Sequence, residues 1–144
     1  MLRTIALVVI VAAFGSGVAN AQQKVEVKGQ KGEVKLNQVI SGYLSDLNDK
    51  YQLRVTEVTF DPGGSVGPHH HAGPGIRFVT AGELTLVHTD DGKATIYKAG
   101  DYFFESGDVT TSASNATDKP TVILNFEILP ASLPGGSTMP PPAP

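Results

Sequence analysis

Three of the chain's four histidines are consecutive, His69-His70-His71, with Gly/Pro-rich turns on both sides. In an extended segment, side chains two residues apart share a face. His69 and His71 therefore point one way and His70 the other. Two imidazoles on one strand face are a common means of presenting nitrogen ligands to a divalent metal. Two ligands do not make a site, and the same run also reads as a polar loop. The fourth histidine, His88, lies in ELTLVHT, in phase with Leu84 and Leu86. A lone imidazole on an apolar face reads as a core or rim residue. No phosphate-binding loop, dinucleotide fingerprint or G-x-S-x-G elbow is present.

The elements that position these histidines have a period of two. Lys24–Lys28 and Glu33–Ile40 alternate polar and apolar residues. Tyr51–Phe60, Ile76–Thr80, Glu83–Thr89, Lys93–Ala99, Tyr102–Phe104 and Thr121–Leu129 are rich in β-branched and aromatic residues. Turn signals separate them, among them Asp61-Pro62-Gly63-Gly64, Asp90-Asp91-Gly92 and Asp118-Lys119-Pro120. Only Gln38–Leu47 has any helical character, weakened by Gly42 and Ser45. The pattern predicts an all-β sandwich or barrel with little or no helix.

The chain has 144 residues, enough for one domain. Its net charge of −3 gives no basic surface for nucleic acid. Met1–Ala21 has a basic start, an apolar run from Ile5 to Phe14 and a small-x-small site at Ala19-Asn20-Ala21. This predicts a signal peptide over residues 1–21 and an exported, periplasmic or secreted protein with no membrane attachment after cleavage. The chain has no cysteine, so no disulfide, thiol nucleophile or thiolate metal site is available. Asn115-Ala116-Thr117 fits a glycosylation sequon, a short pattern with many chance matches. Pro130–Pro144 holds six prolines and no charge, which predicts an extended, disordered tail. The expected organisation is N-terminal strands over 22–50, a barrel over 51–129 and the tail over 130–144.

The stretch PGGSVGPHHHAGPGIRFVTAGEL resembles the first motif of the cupin superfamily, G-x5-H-x-H-x3,4-E-x6-G. Gly63, His69, His71 and Gly82 match it, and Gly75 stands where the family has glutamate. GDYFFESGDVTTSASN resembles the second motif, G-x5-P-x-G-x2-H-x3-N, through Gly100 and Asn115. The histidine position falls on Thr111 without a gap, or on Thr110 if Gly107 takes the motif glycine. The resemblance implies a double-stranded β-helix, a jelly-roll barrel of six conserved strands with added N-terminal strands. It also implies a metal site of three histidines and a glutamate, of which this sequence keeps His69 and His71.

Two ligands predict a weakened or absent site, with any iron, manganese, nickel or zinc held loosely. Glu105 and Asp108 lie near the missing histidine. Glu105 is a candidate replacement ligand, although its type is common there for structural reasons. Arg77 shares a face with Gly75 on a regular strand. If that face is the barrel interior, its guanidinium makes an anion site where the family has a cation site. If Ile76 and Phe78 form the buried face, Arg77 is on the surface. Arg77, Glu105, Thr110 and Thr111 are thus the candidates for a ligand pocket. The leading expectation is an exported small-molecule-binding barrel. The alternatives are a metal-dependent dioxygenase or isomerase with rebuilt ligands, and a non-catalytic dimeric module. Val25, Val27 and Val34 offer an apolar edge suited to a homodimer.

Overall fold

A computed structural model describes residues 24–141. The proposed signal peptide and its cleavage site lie outside them. Nine strands follow in order: β1 (Val27–Val39), β2 (Tyr51–His71), β3 (Gly75–Ala81), β4 (Glu83–His88), β5 (Ala94–Lys98), β6 (Tyr102–Glu105), β7 (Thr111–Ser114), β8 (Thr121–Pro130) and β9 (Thr138–Met139). Helical character among the described residues is confined to one 3-10 turn, Ser45–Leu47.

All pairings are antiparallel, in the order β5-β4-β7-β2-β8-β3-β6, with β1 and β9 also on β2. The result is a nearly closed all-β barrel. β2 is its spine: Tyr51–Phe60 pairs with β8, and Ser65–His69 pairs with β7. The strand therefore passes from one wall to the other without ending. The Asp61–Gly64 segment, a turn by composition, is the bend between the walls. Gly63 supplies the bend with φ +68°, a region that favours glycine. Asn115 clamps it, donating from Nδ2 to the carbonyls of Phe60, Asp61 and Lys119. The asparagine of the second motif thus has a structural task. The two N-terminal stretches expected as separate strands form one, β1, with register shifts after Lys28 and Val34.

The interior is divided along the barrel axis. One end is an apolar core that includes Val58, Phe60, Val79, Leu84, Leu86, Phe103 and Ile123. Tyr97 stacks on Phe103 with centroids 4.2 Å apart. The other end is lined by charged and polar side chains, and the histidines lie there.

The C-terminal segment differs from the disordered tail expected from its prolines. Residues 131–139 fold back across the polar end of the barrel, and β9 pairs with His70 and His71. The backbone N–H of Ala72 donates to the Ser137 carbonyl (2.8 Å), and Arg54 donates to the carbonyls of Gly135 and Leu133. Only Thr138–Met139 of this segment is strand; elsewhere single backbone carbonyls accept buried donors, as Gly135 does from Arg54.

Candidate functional site

Strand register builds the site. Arg54, Glu127, Gly75 and Glu105 are directly opposite one another across β2, β8, β3 and β6, with the three side chains on the inner face. The next row holds Thr56, Asn125, Arg77 and Phe103. Gly75 leaves a gap between the two glutamates, and the guanidinium of Arg77 reaches back into it. Arg77 Nε donates to Glu105 Oε2 (2.8 Å), and Nη2 donates to Glu127 Oε1 (3.1 Å). Arg77 is 1% exposed, whereas Ile76 is 50% exposed. Of the two readings of β3, the inward arginine is the one observed.

His69 and His71 share the interior, with ring centroids 5.0 Å apart. His70 is turned away and half-buried, on the side of β9. His69 donates from Nδ1 to the Gly67 carbonyl (2.9 Å), which fixes the tautomer and leaves Nε2 with a free lone pair. Burial lowers its affinity for a proton, and the charges of His71 and Arg77 add to that effect; the Gly67 bond and Glu105 oppose it. His71 lies between the carboxylates, its Nε2 3.5 Å from Glu105 and its Nδ1 3.3 Å from Glu127. Burial alone would raise the Glu127 carboxyl. The hydrogen bond with His71, the charge of Arg77 and the bond donated by Ser137 Oγ (2.7 Å) outweigh it and hold the group below its ordinary range.

Thr111 occupies the position opposite His69, is buried, and donates to Glu105 Oε1 (3.1 Å). Thr110 is half-buried, and its carbonyl accepts from Thr89. The inward counterpart of the family histidine is therefore Thr111. Gly107 nonetheless packs on Gly73 with φ +99°, as a motif glycine would, so one extra residue lies between it and Thr111. His88 pairs with Thr111 at the end of β4 and is half-buried. Asp108 lies outside the cluster and interacts with Ser106.

Above these groups is a cavity of about 520 Å³. Its walls include Phe60, Leu84, Leu86, Phe103 and Ile123 on the apolar side, and His69, His71, Arg77, Glu105 and Glu127 on the polar side. Arg54, Asn125 and Ser137 also line it. The sequence reading missed these three and Glu127. The available signal was a polar residue in the middle of an apolar strand, as in LRV (residues 53–55) and ILNFEIL (residues 123–129).

As arranged, these residues do not fit the family's metal. Arg77 already bridges the two carboxylates that would neutralise a divalent ion, and its Nη1 lies where a side chain at the motif-glutamate position would begin. Thr111 supplies no imidazole. Among the described residues, no group of three or more His, Cys, Asp or Glu is placed to hold a metal ion.

A bent central strand, two antiparallel walls and a polar cluster at one end define a jelly-roll barrel of the cupin class. The cupin-domain profile matches residues 56–127, and the chain belongs to that family. A comparison with curated proteins finds no match. Among solved structures, the chain is similar to a cupin domain from Bordetella pertussis Tohama I, with 22% identity and a TM-score of 0.53 over 72% of this chain and 96% of that one. It is also similar to the polyketide cyclase RemF from Streptomyces resistomycificus, with 20% identity and a TM-score of 0.57 over 80% and 78%. An oxalate oxidase gives 16% identity and a TM-score of 0.56 over 81% and 62%. At these identities the likeness is one of fold.

Proposed function

We propose that this cupin binds a small molecule in its barrel without a tightly held metal, the guanidinium of Arg77 standing as the internal cation. The observation that carries the reading is the pair of contacts from Arg77 to Glu105 and Glu127, beside a cavity of about 520 Å³. A site of that size, mostly apolar with a few convergent polar groups, suits a small organic ligand. Native mass spectrometry of gently purified protein tests it. A stoichiometric organic adduct, lost when Leu84 or Leu86 is replaced by Trp to fill the cavity, is the expected result.

One observation favours a second reading, a metal-dependent enzyme of dioxygenase or isomerase type. Glu105 approaches His71 Nε2 to 3.5 Å and lines the same cavity as His69, so these three are the ligands such an enzyme would use. That reading requires Arg77 to release Glu105. Weakly bound iron, manganese, nickel or zinc at His69 and His71 is the most the present arrangement supports.

We place the protein outside the cytoplasm on the strength of the Met1–Ala21 pattern. The proposed assembly is a homodimer. Leu36, Val55, Phe126, Ile76 and Phe104 form one in-register row across β1, β2, β8, β3 and β6, and all but Val55 are exposed, Phe104 to 67%. An apolar row of that length on an outer face suits burial against a second copy. Sedimentation would show a dimer that Phe104→Glu with Ile76→Glu dissociates; a wild-type monomer at all concentrations contradicts it.

A further inference from the structure

Both interior arginines are buried, but they are treated differently. Arg77 spends the side edge of its guanidinium, Nε and Nη2, on two carboxylates. Arg54 is 5% exposed, lines the same cavity and forms no ion pair among the described residues. Its Nη1 donates to the Gly135 carbonyl, its Nη2 makes only a long contact of 3.5 Å to the Leu133 carbonyl, and its Nε has no partner. Glu127, opposite Arg54 in the strand register, is already engaged by Arg77, His71 and Ser137. Neutral carbonyls do not supply a counter-charge, and a buried cation without one is costly. The Nε–Nη2 edge, shielded from solvent and holding only that long contact, is the edge that takes a carboxylate through two parallel hydrogen bonds.

We infer that the ligand of this barrel carries a carboxylate, which pairs with the Nε–Nη2 edge of Arg54 beneath the C-terminal strap. The inference rests on the barrel being a small-molecule site and names the class of molecule. The apolar body of the ligand lies against Phe60, Leu84 and Phe103, within a cavity of about 520 Å³. The strap carbonyl of Leu133 would give up its long contact, so strap and ligand are linked through one side chain.

The test uses the full chain and matched pairs of acids and primary amides: benzoate with benzamide, and phenylpropanoate with phenylpropanamide. Titration calorimetry is expected to show each acid binding about tenfold or more tighter than its amide, the scale of one charge-assisted bidentate contact. Arg54→Met is expected to abolish that preference, with acid affinity falling about tenfold or more towards that of the amide. Should Arg54→Met fail to fold, nitrogen NMR of the Arg54 Nε–H in the wild-type protein decides, since the acid and not the amide must shift it. Amides binding as well as acids, or an Arg54 signal unmoved at saturation, overturns the inference and leaves the small-molecule reading standing. A protein that binds neither acids nor amides overturns both.

Discussion

Gly75 and Arg77 are fitted to each other: a Cβ added at residue 75 would overlap Nη1 of Arg77. The glycine at the family's glutamate position and the arginine two residues on are therefore one feature. The carboxylate that the family places there is absent, and a fixed organic cation fills the space between Glu105 and Glu127.

Gly75→Ala is expected to destabilise the fold by about 1–3 kcal/mol, the usual cost of overpacking. The added Cβ would also lie 2.7 Å from the Phe126 carbonyl, which is backbone and cannot swing away. Gly75→Ala combined with Arg77→Ala should therefore not recover the fold, because that contact remains. Urea denaturation of the single and double variants reads the difference. Gly75→Glu meets the same obstacles with a larger side chain, so restoring the family residue alone should not create a metal site.

Arg77→Met removes the cation from two buried carboxylates and should cost about 3–5 kcal/mol, as expected when a buried charge loses its partner. The freed Glu105 and Glu127 then stand beside His69 and His71. Added zinc should recover part of the lost stability in Arg77→Met and have little effect on the wild type, as read by thermal denaturation with and without the ion.

Stability should fall in two steps on acidification. His69 is held neutral by burial, so below its unfolded value of 6.5 the unfolded chain takes up a proton that the folded chain refuses. Stability declines from there until the folded imidazole protonates. Glu127 is held below its ordinary 4.5, so its contribution is present above that value and is lost as the pH falls through the folded one. His69→Gln should remove the first step and keep the second. An equilibrium unfolding series that is flat from about pH 7.5 to about pH 5 would contradict the account.

Ser137 ties the strap to the site through Glu127. Ser137→Ala removes a hydrogen bond to a buried carboxylate and should cost about 1.5–3 kcal/mol. Hydrogen exchange at the β9 amides should rise in that variant more than exchange in the apolar core around Val79 and Ile123.

The strands and the family were legible because both depend on local pattern: period-two alternation, turn residues, and a histidine motif at fixed spacing. The face each strand turns inward was harder to read. On β3, Ile76 and Phe78 point out and Arg77 points in; on β8, Phe126 and Ile128 point out and Asn125 and Glu127 point in. Alternation gives the period but not the phase, and the usual choice of apolar residues for the interior is reversed at the polar end of this barrel. Arg54 and Glu127 went unread for that reason. The strap went unread for another: its hold on the barrel comes from backbone carbonyls and Ser137, which composition does not reveal.

The most direct test of the central claim is the metal content of protein purified without chelators or affinity tags, followed by calorimetric titration with zinc, nickel and manganese. Substoichiometric metal and affinities of about tens of micromolar or weaker are expected, as for an incomplete site. The weak binding should disappear in His69→Ala/His71→Ala and persist in His70→Ala. One equivalent of a single metal, held at nanomolar affinity by the wild type and lost in the double variant, would show that Arg77 yields its place and would contradict the account.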